Sequence, residues 1–154
     1  MNAQNKIMKI LLATDGSAHS KAMVKKFAGR IFPPNTKVRI ISAYEKHSYM
    51  ENTAPMGVLT EYFDVANKLL FKSAKAATEN AATILRKINP KLSISTAVIE
   101  GSPKKIILGE AEKFDANLIV VGSQGHGFVA GFLLGSVSQS VALHAKCSVE
   151  IVRK

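Results

Sequence analysis

Residues 116–136 read ANLIVVGSQGHGFVAGFLLGS, and the change of character at Gly122 decides how the whole chain is read. Residues 118–121 are four consecutive apolar side chains. A short apolar run with no alternation, stopped by glycine, predicts a strand covered on both faces, as in a parallel sheet with helices on either side. The fifteen residues that follow carry five of the ten glycines. They form a loop after a central strand, and then a helix from about Val137 to His144.

Working outward, the segment KILLATDGS (residues 9–17) repeats the pattern. Ile10, Leu11 and Leu12 form a second fully apolar strand, and the chain turns at Asp15-Gly16. Ser17 is placed to cap a helix running to about Gly29, with Ala22, Met23, Phe27 and Ile31 expected on its inner side. Pro33-Pro34 breaks it. KVRIISAY (37–44) reads as a strand, and EKHSYMENTAPMG (45–57) as an irregular loop. From Leu59, the residues Leu59, Tyr62, Phe63, Ala66, Leu69, Leu70, Ala77, Ala81, Ile84, Leu85 and Ile88 follow helical spacing. Asn89-Pro90 ends that helix. LSISTAVIE (92–100) alternates like an edge strand. Ser102-Pro103 supplies an N-cap and a first-turn proline for a helix through Ile106, Ile107 and Ala111. VEIV (149–152) is the last strand.

The order β-α-β-α-β-α-β-α-β predicts a doubly wound, five-stranded parallel α/β sheet with helices on both faces. The two apolar strands belong at its centre, which gives the strand order 3-2-1-4-5. In such a sheet the chain leaves the first and fourth strands toward opposite faces, and a crevice opens at their carboxyl ends where ligands bind. Thr14, Asp15, Gly16 and the run from Gly122 onward fall there. Glycines let backbone N–H groups converge on an anion, and a helix starting after Gly135-Ser136 favours phosphate. Asp15 is suited to accept from a ribose or base, or to help hold a metal ion carried on phosphates. Plainer readings stand beside these. Ser136-Val137-Ser138-Gln139 is a capping box, and Asp15-Gly16 is also an ordinary turn. His126 is a lone loop histidine, His144 a boundary residue of the last helix, and Cys147 a small apolar side chain.

Bulk properties narrow the classes. At 154 residues with 47% apolar composition, the chain suits one domain around one core. A single cysteine excludes an internal disulfide and fits a reducing compartment. No Cys/His cluster has metal-ligand spacing, so no metal site of the protein's own is expected. No apolar run approaches the ~18 residues of a membrane span, and the start of the chain lacks signal-peptide form. The expected location is the cytoplasm. The net charge of +10 is spread over Lys21, Lys25, Lys26, Lys68, Lys72, Lys75, Arg86, Lys87, Lys104 and Lys105. That scatter reads as a solvated surface rather than a nucleic-acid interface. There is no Walker A sequence. GHGFVA (125–130) fits G-x-G-x-x-A formally, but too little chain follows it for a dinucleotide fold. A paired carboxylate after the first strand, as in a receiver domain, is absent. No nucleophile–base–orienter set emerges, so no catalytic residue is assigned.

The spacing Gly122-x2-Gly125-x9-Gly135-Ser136 resembles the G-2x-G-9x-G-[S/T] signature of the universal stress protein family, in its ATP-binding branch. ILLATDGS resembles that family's first strand and aspartate. EGSP is similar to its G-x-P turn, and GSVSQSVALHAKCSVEIVRK to its closing helix and strand. The resemblance implies a Rossmann-like sheet, a cytoplasmic stress-response role as a nucleotide-dependent switch or adaptor, and ATP as ligand, carried with Mg²⁺. It also implies a homodimer through the last strand and a protein partner. Gly122, Gly125, Gly135, Ser136 and Val137 would cradle the phosphates and ribose, with Ser138 close by. Ala13, Asp15 and Ala43 would border the adenosine. The chain departs from the pattern at Gln124, where many members carry a basic residue or histidine, and at Ser148, which replaces the usual proline. A slow Mg-dependent ATPase or self-phosphorylating enzyme, and a nucleotide-independent dimeric interaction protein, are the alternatives.

Overall fold

The computed structural model describes residues 7–47, 56–126 and 134–153. Five strands, β1 (Lys9–Ala13), β2 (Lys37–Tyr44), β3 (Ser93–Glu100), β4 (Leu118–Gly122) and β5 (Ser148–Val152), alternate with four helices. These are α1 (Ala18–Ala28), α2 (Met56–Ile88), α3 (Pro103–Phe114) and α4 (Ser136–His144). All strand pairs are parallel, in the order β3-β2-β1-β4-β5. The expected sheet is thus the observed one.

The two apolar runs are central because both their faces are covered. In β1 the even residues Ile10 and Leu12 pack with Met23, Val24 and Phe27 of α1 and with Ala81 and Leu85 of α2. Leu11 packs on the other side with Ile107 and Ala111 of α3 and Val141 of α4. Ile10, Leu11 and Leu12 are completely buried. The partial alternation of β3 matches its place at one edge, and β5 forms the other edge.

Helix starts follow local chemistry. Ser17 caps α1 by accepting the Ser20 N–H at 3.1 Å. Ser102 precedes Pro103 at the start of α3, but its hydroxyl makes no capping bond. The ten basic residues from Lys21 to Lys105 over which the charge is spread are all exposed, consistent with a solvated charge.

Several burial expectations are corrected. Ile31 is 99% exposed, because the α1 helix ends at its C-cap Gly29 and the helical face does not continue to residue 31. Met56 and Gly57, expected in the loop, are already helical. Tyr62, Leu69 and Ile88 face solvent despite their spacing. With 33 residues, α2 is about 50 Å long, whereas the eight-residue strands β2 and β3 it covers run about 26 Å. Among the described residues of α2 the buried ones lie between Ala74 and Leu85, and the helix starts well before that stretch, with Phe71 still reaching Tyr44 of β2. Residues 48–55 and 127–133, parts of two predicted loops, and the side chain of Leu59 lie outside the described residues.

Candidate functional site

The crevice forms where β1 and β4 end side by side, with β2 beyond β1. The nine positions singled out in the sequence, Ala13, Asp15, Ala43, Gly122, Gly125, Gly135, Ser136, Val137 and Ser138, all line one cavity of about 290 Å³. Its apolar wall comes from Ala13, Ala43, Pro103, Ile107 and Val121. Facing that wall is the first turn of α4. The N-cap of α4 is Gly135, in extended conformation (φ −69°, ψ 156°), and no side chain caps it. Ser136 is therefore the first helical residue, and the S-x-x-Q capping box does not form. The Ser138 hydroxyl turns back instead, reaching the carbonyl oxygens of Gly135 at 2.9 Å and Ser123 at 3.3 Å. The first-turn N–H groups of a helix have no acceptor within it. Those of Ser136, Val137 and Ser138, with a glycine as N-cap, are left for a ligand or water.

The glycine loop closes at its base. The Gly135 N–H donates to the Ser123 carbonyl at 2.7 Å, and the Ser123 N–H donates to Val152 of β5 at 3.0 Å. Ser123, buried, ties both ends of the loop to the sheet. No sequence motif marked it, since its function lies in its backbone.

Asp15 is held by the chain on both sides. Its Oδ1 accepts the Ser17 N–H at 3.0 Å, an Asx-type turn. Its Oδ2 accepts the His126 N–H at 2.8 Å, across 111 residues of sequence. The His126 ring completes the contact, with Nε2 2.8 Å from the Asp15 carbonyl oxygen. That carbonyl can only accept, so Nε2 carries the proton. Burial pushes the Asp15 carboxyl upward, but the hydrogen bonds from Ser17 and His126 outweigh it and hold the group below its ordinary 3.8. His126, a lone loop histidine that is exposed as expected, is also the second half of a latch between the two loops of the crevice.

This geometry also changes the reason for two glycines. A Cβ on Gly125 would land on Asp15 Oδ2, and one on Gly135 would lie 3.3 Å from the Ser123 carbonyl. A side chain at Gly125 would displace the Asp15 carboxylate, and one at Gly135 would press on backbone and ask for a small shift, before any ligand is considered. Gly16 is required by conformation, with φ +76°.

Thr14, Ser20, Gln124 and His126 also line the cavity. Thr14 and Ser20 hydroxyls bond one another, and the Asp15 N–H donates to Ser20 Oγ at 3.3 Å. Among the described residues no group of three or more His, Cys, Asp or Glu converges as a cation site, and no helix is long and apolar enough to cross a membrane.

The model described as the universal stress protein family matches residues 6–153. The chain belongs to the universal stress protein family. A putative universal stress protein of Staphylococcus aureus strain USA300 is 29% identical over 145 residues, covering 94% of this chain and 82% of the relative. Two solved structures share the fold. A universal stress protein in complex with cAMP superposes with a TM-score of 0.61 at 24% identity, over 96% of this chain and 97% of that one. A universal stress protein family member from Arabidopsis thaliana with AMP bound gives 0.61 at 18% identity, over 96% and 92%.

Proposed function

We propose that this universal stress protein binds an adenine nucleotide in the crevice between β1 and β4 and acts as a nucleotide-dependent switch or adaptor in a stress response. The observation that carries the reading is the convergence of the glycine-loop signature, the uncapped start of α4 and an apolar wall on one cavity. The residues fit such a group. Ala13, Ala43, Ile107 and Val121 offer flat apolar contact to a base, as small-molecule sites usually do. The N–H groups of Ser136, Val137 and Ser138 offer donors and a partial positive charge to phosphate. The cAMP and AMP complexes of family members with this fold support the ligand class.

Occupancy, rather than turnover, is the output in this reading. Among the described lining residues none is Lys or Arg, so phosphoryl transfer lacks a side-chain cation for its transition state. Asp15, the one carboxylate there, already receives two N–H bonds. β5 is a sheet edge whose one strand partner is β4 among the described residues, and we assign to it the homodimer contact through which an effector protein would read the state.

Calorimetric titration of the purified chain with adenine nucleotides tests the reading. Heat of binding and a thermal upshift are expected, both weakened by Ser136→Pro. Proline is accepted at the first helical position, and Gly135 already has the extended geometry that a residue before proline adopts. The substitution removes one N–H and the hydroxyl while leaving the helix in place. A charge-assisted bond of about 1.5–3 kcal/mol corresponds to roughly a tenfold or greater loss of affinity. No response to any adenine nucleotide at millimolar concentration would remove the proposal.

A further inference from the structure

We infer that the amino edge of the sheet, at the opposite end from the crevice, docks reversibly on an anionic membrane surface. Ile31 enters the lipid, and Lys37, Arg86, Lys87 and Lys91 lie over the head groups. The inference stands apart from the nucleotide reading, because no residue of the crevice takes part.

The chain concentrates its charge at this edge. Residues 16–44 and 80–99 hold nine Lys or Arg and no Asp or Glu. In a parallel sheet each crossover helix runs back from the carboxyl ends of the strands to their amino ends. Helices α1 and α2 therefore end where β2 and β3 begin. Arg86 and Lys87 lie in the last turn of α2, Lys91 follows that helix, and Lys37 opens β2. All four are exposed, and none of them is in an ion pair among the described residues. The carboxylates of Glu150 and Asp115 are taken by Arg30 and Lys9. Cations in a last helical turn complement its dipole, which accounts for Arg86 and Lys87 but not for Lys37 and Lys91, which lie outside the helices.

The same edge displays aliphatic side chains that folding leaves bare. Ile31 is 99% exposed and Ile88 49%. The chain around Ile31 is nevertheless anchored. Asn89 donates from Nδ2 to the carbonyl oxygens of Ala28 and Arg30. That contact joins the end of α2 to the end of α1, with Ile88 and Ile31 next to it in sequence. Phe32 turns inward, its ring centre 5.0 Å from that of Phe27. Thr36 closes the turn, its N–H and hydroxyl donating to the Pro33 carbonyl at 3.3 and 2.7 Å. Ile31 projects from a fixed loop with cations beside it.

An aliphatic knob beside unpaired cations is complementary to an anionic bilayer surface, where apolar burial and attraction to head groups act together. Single-stranded nucleic acid is met instead by aromatic faces that stack on bases, and the aromatic ring of this loop, Phe32, packs against the core.

The test is cosedimentation of the full-length chain with vesicles of phosphatidylcholine, alone or mixed with phosphatidylglycerol. Binding is expected to the mixed vesicles only, and it should fall steeply as salt screens the charges. Lys87→Gln combined with Lys91→Gln is expected to weaken it about tenfold or more, since each cation near such a surface contributes roughly fivefold. Ile31→Ser is expected to weaken it about tenfold through lost apolar burial. All three side chains are exposed, so the variants should melt with the wild type. No binding to the mixed vesicles at low salt overturns the inference. Equal binding to phosphatidylcholine alone, or no loss in the double lysine variant, overturns the charge argument and with it the assignment of this edge. Ile31→Ser bound as tightly as wild type overturns it too, and displacement by polyuridylate or polyglutamate would then point to a nucleic acid or an acidic protein. Each of these outcomes leaves nucleotide binding in the crevice untouched.

Discussion

Replacing Asp15 by alanine isolates the latch between the two loops of the crevice. Two N–H groups lose their acceptor, that of Ser17 at 3.0 Å and that of His126 at 2.8 Å. A hydrogen bond to a charged group contributes about 1.5–3 kcal/mol, so the pair sets an upper bound of about 3–6 kcal/mol. The site is only partly buried, and water reaches the freed N–H groups. A net loss of about 1–3 kcal/mol is therefore expected. For a chain of this size that is a fall in Tm of roughly 2–12 °C. Asp15→Asn keeps one acceptor oxygen and should fall between wild type and alanine. The sign of the pH effect follows from the depressed carboxyl. Its stabilisation is fully present above the ordinary 3.8 and disappears as pH falls through the lowered value. The gap between wild type and Asp15→Ala in urea titration should therefore be open at pH 7 and close in more acidic solution. Hydrogen exchange gives the local readout, because the His126 amide owes its protection to this one tertiary bond. If Asp15→Ala left both the urea midpoint and the His126 exchange rate unchanged, the latch would carry no energy and Asp15 would not be what joins the two loops.

Other substitutions probe separate parts of the molecule. Gly16→Ala forces a side chain onto φ +76° and places its Cβ 3.1 Å from that of Ala77; a loss of about 1–2 kcal/mol should appear in thermal melts, and none would show the turn to be adaptable. Arg39 of β2 bonds the buried carboxylate of Glu110 at 2.8 Å, with Lys113 at 3.0 Å as its other partner. Arg39→Met leaves that carboxylate half-paired and should cost about 1–3 kcal/mol by denaturant titration, whereas a neutral result would mean that Lys113 suffices. Leu12→Ala opens a hole at a completely buried position and should cost about 2–5 kcal/mol, a range that calorimetry would readily contradict.

The architecture was legible because each signal for it is local. Unbroken apolar runs at residues 10–12 and 118–121 mark strands covered twice, and their ranks in the β-α alternation set the strand order. The β-α order, with the glycine run placed after the second apolar strand, located the crevice; the nine positions that the family resemblance implied line its cavity, together with residues that were not singled out, such as Ser20, Pro103 and Ile107. Local pattern misled where an element outran its support. Ile31 kept helical spacing past the end of α1, and Tyr62 and Leu69 kept it on exposed positions of α2 ahead of its buried stretch.

Sequence by itself determined which segments are strands, their order, and which loop faces the crevice, since periodicity and turn chemistry act over a few residues. Only the tertiary structure decided what those residues hold on to. Asp15 meets His126 across 111 positions, and Ser123 closes the loop through a backbone carbonyl that no side-chain pattern records. Such partners are chosen by packing, which brings distant backbone donors and acceptors within about 3 Å, and nothing in the order of residues encodes that distance locally.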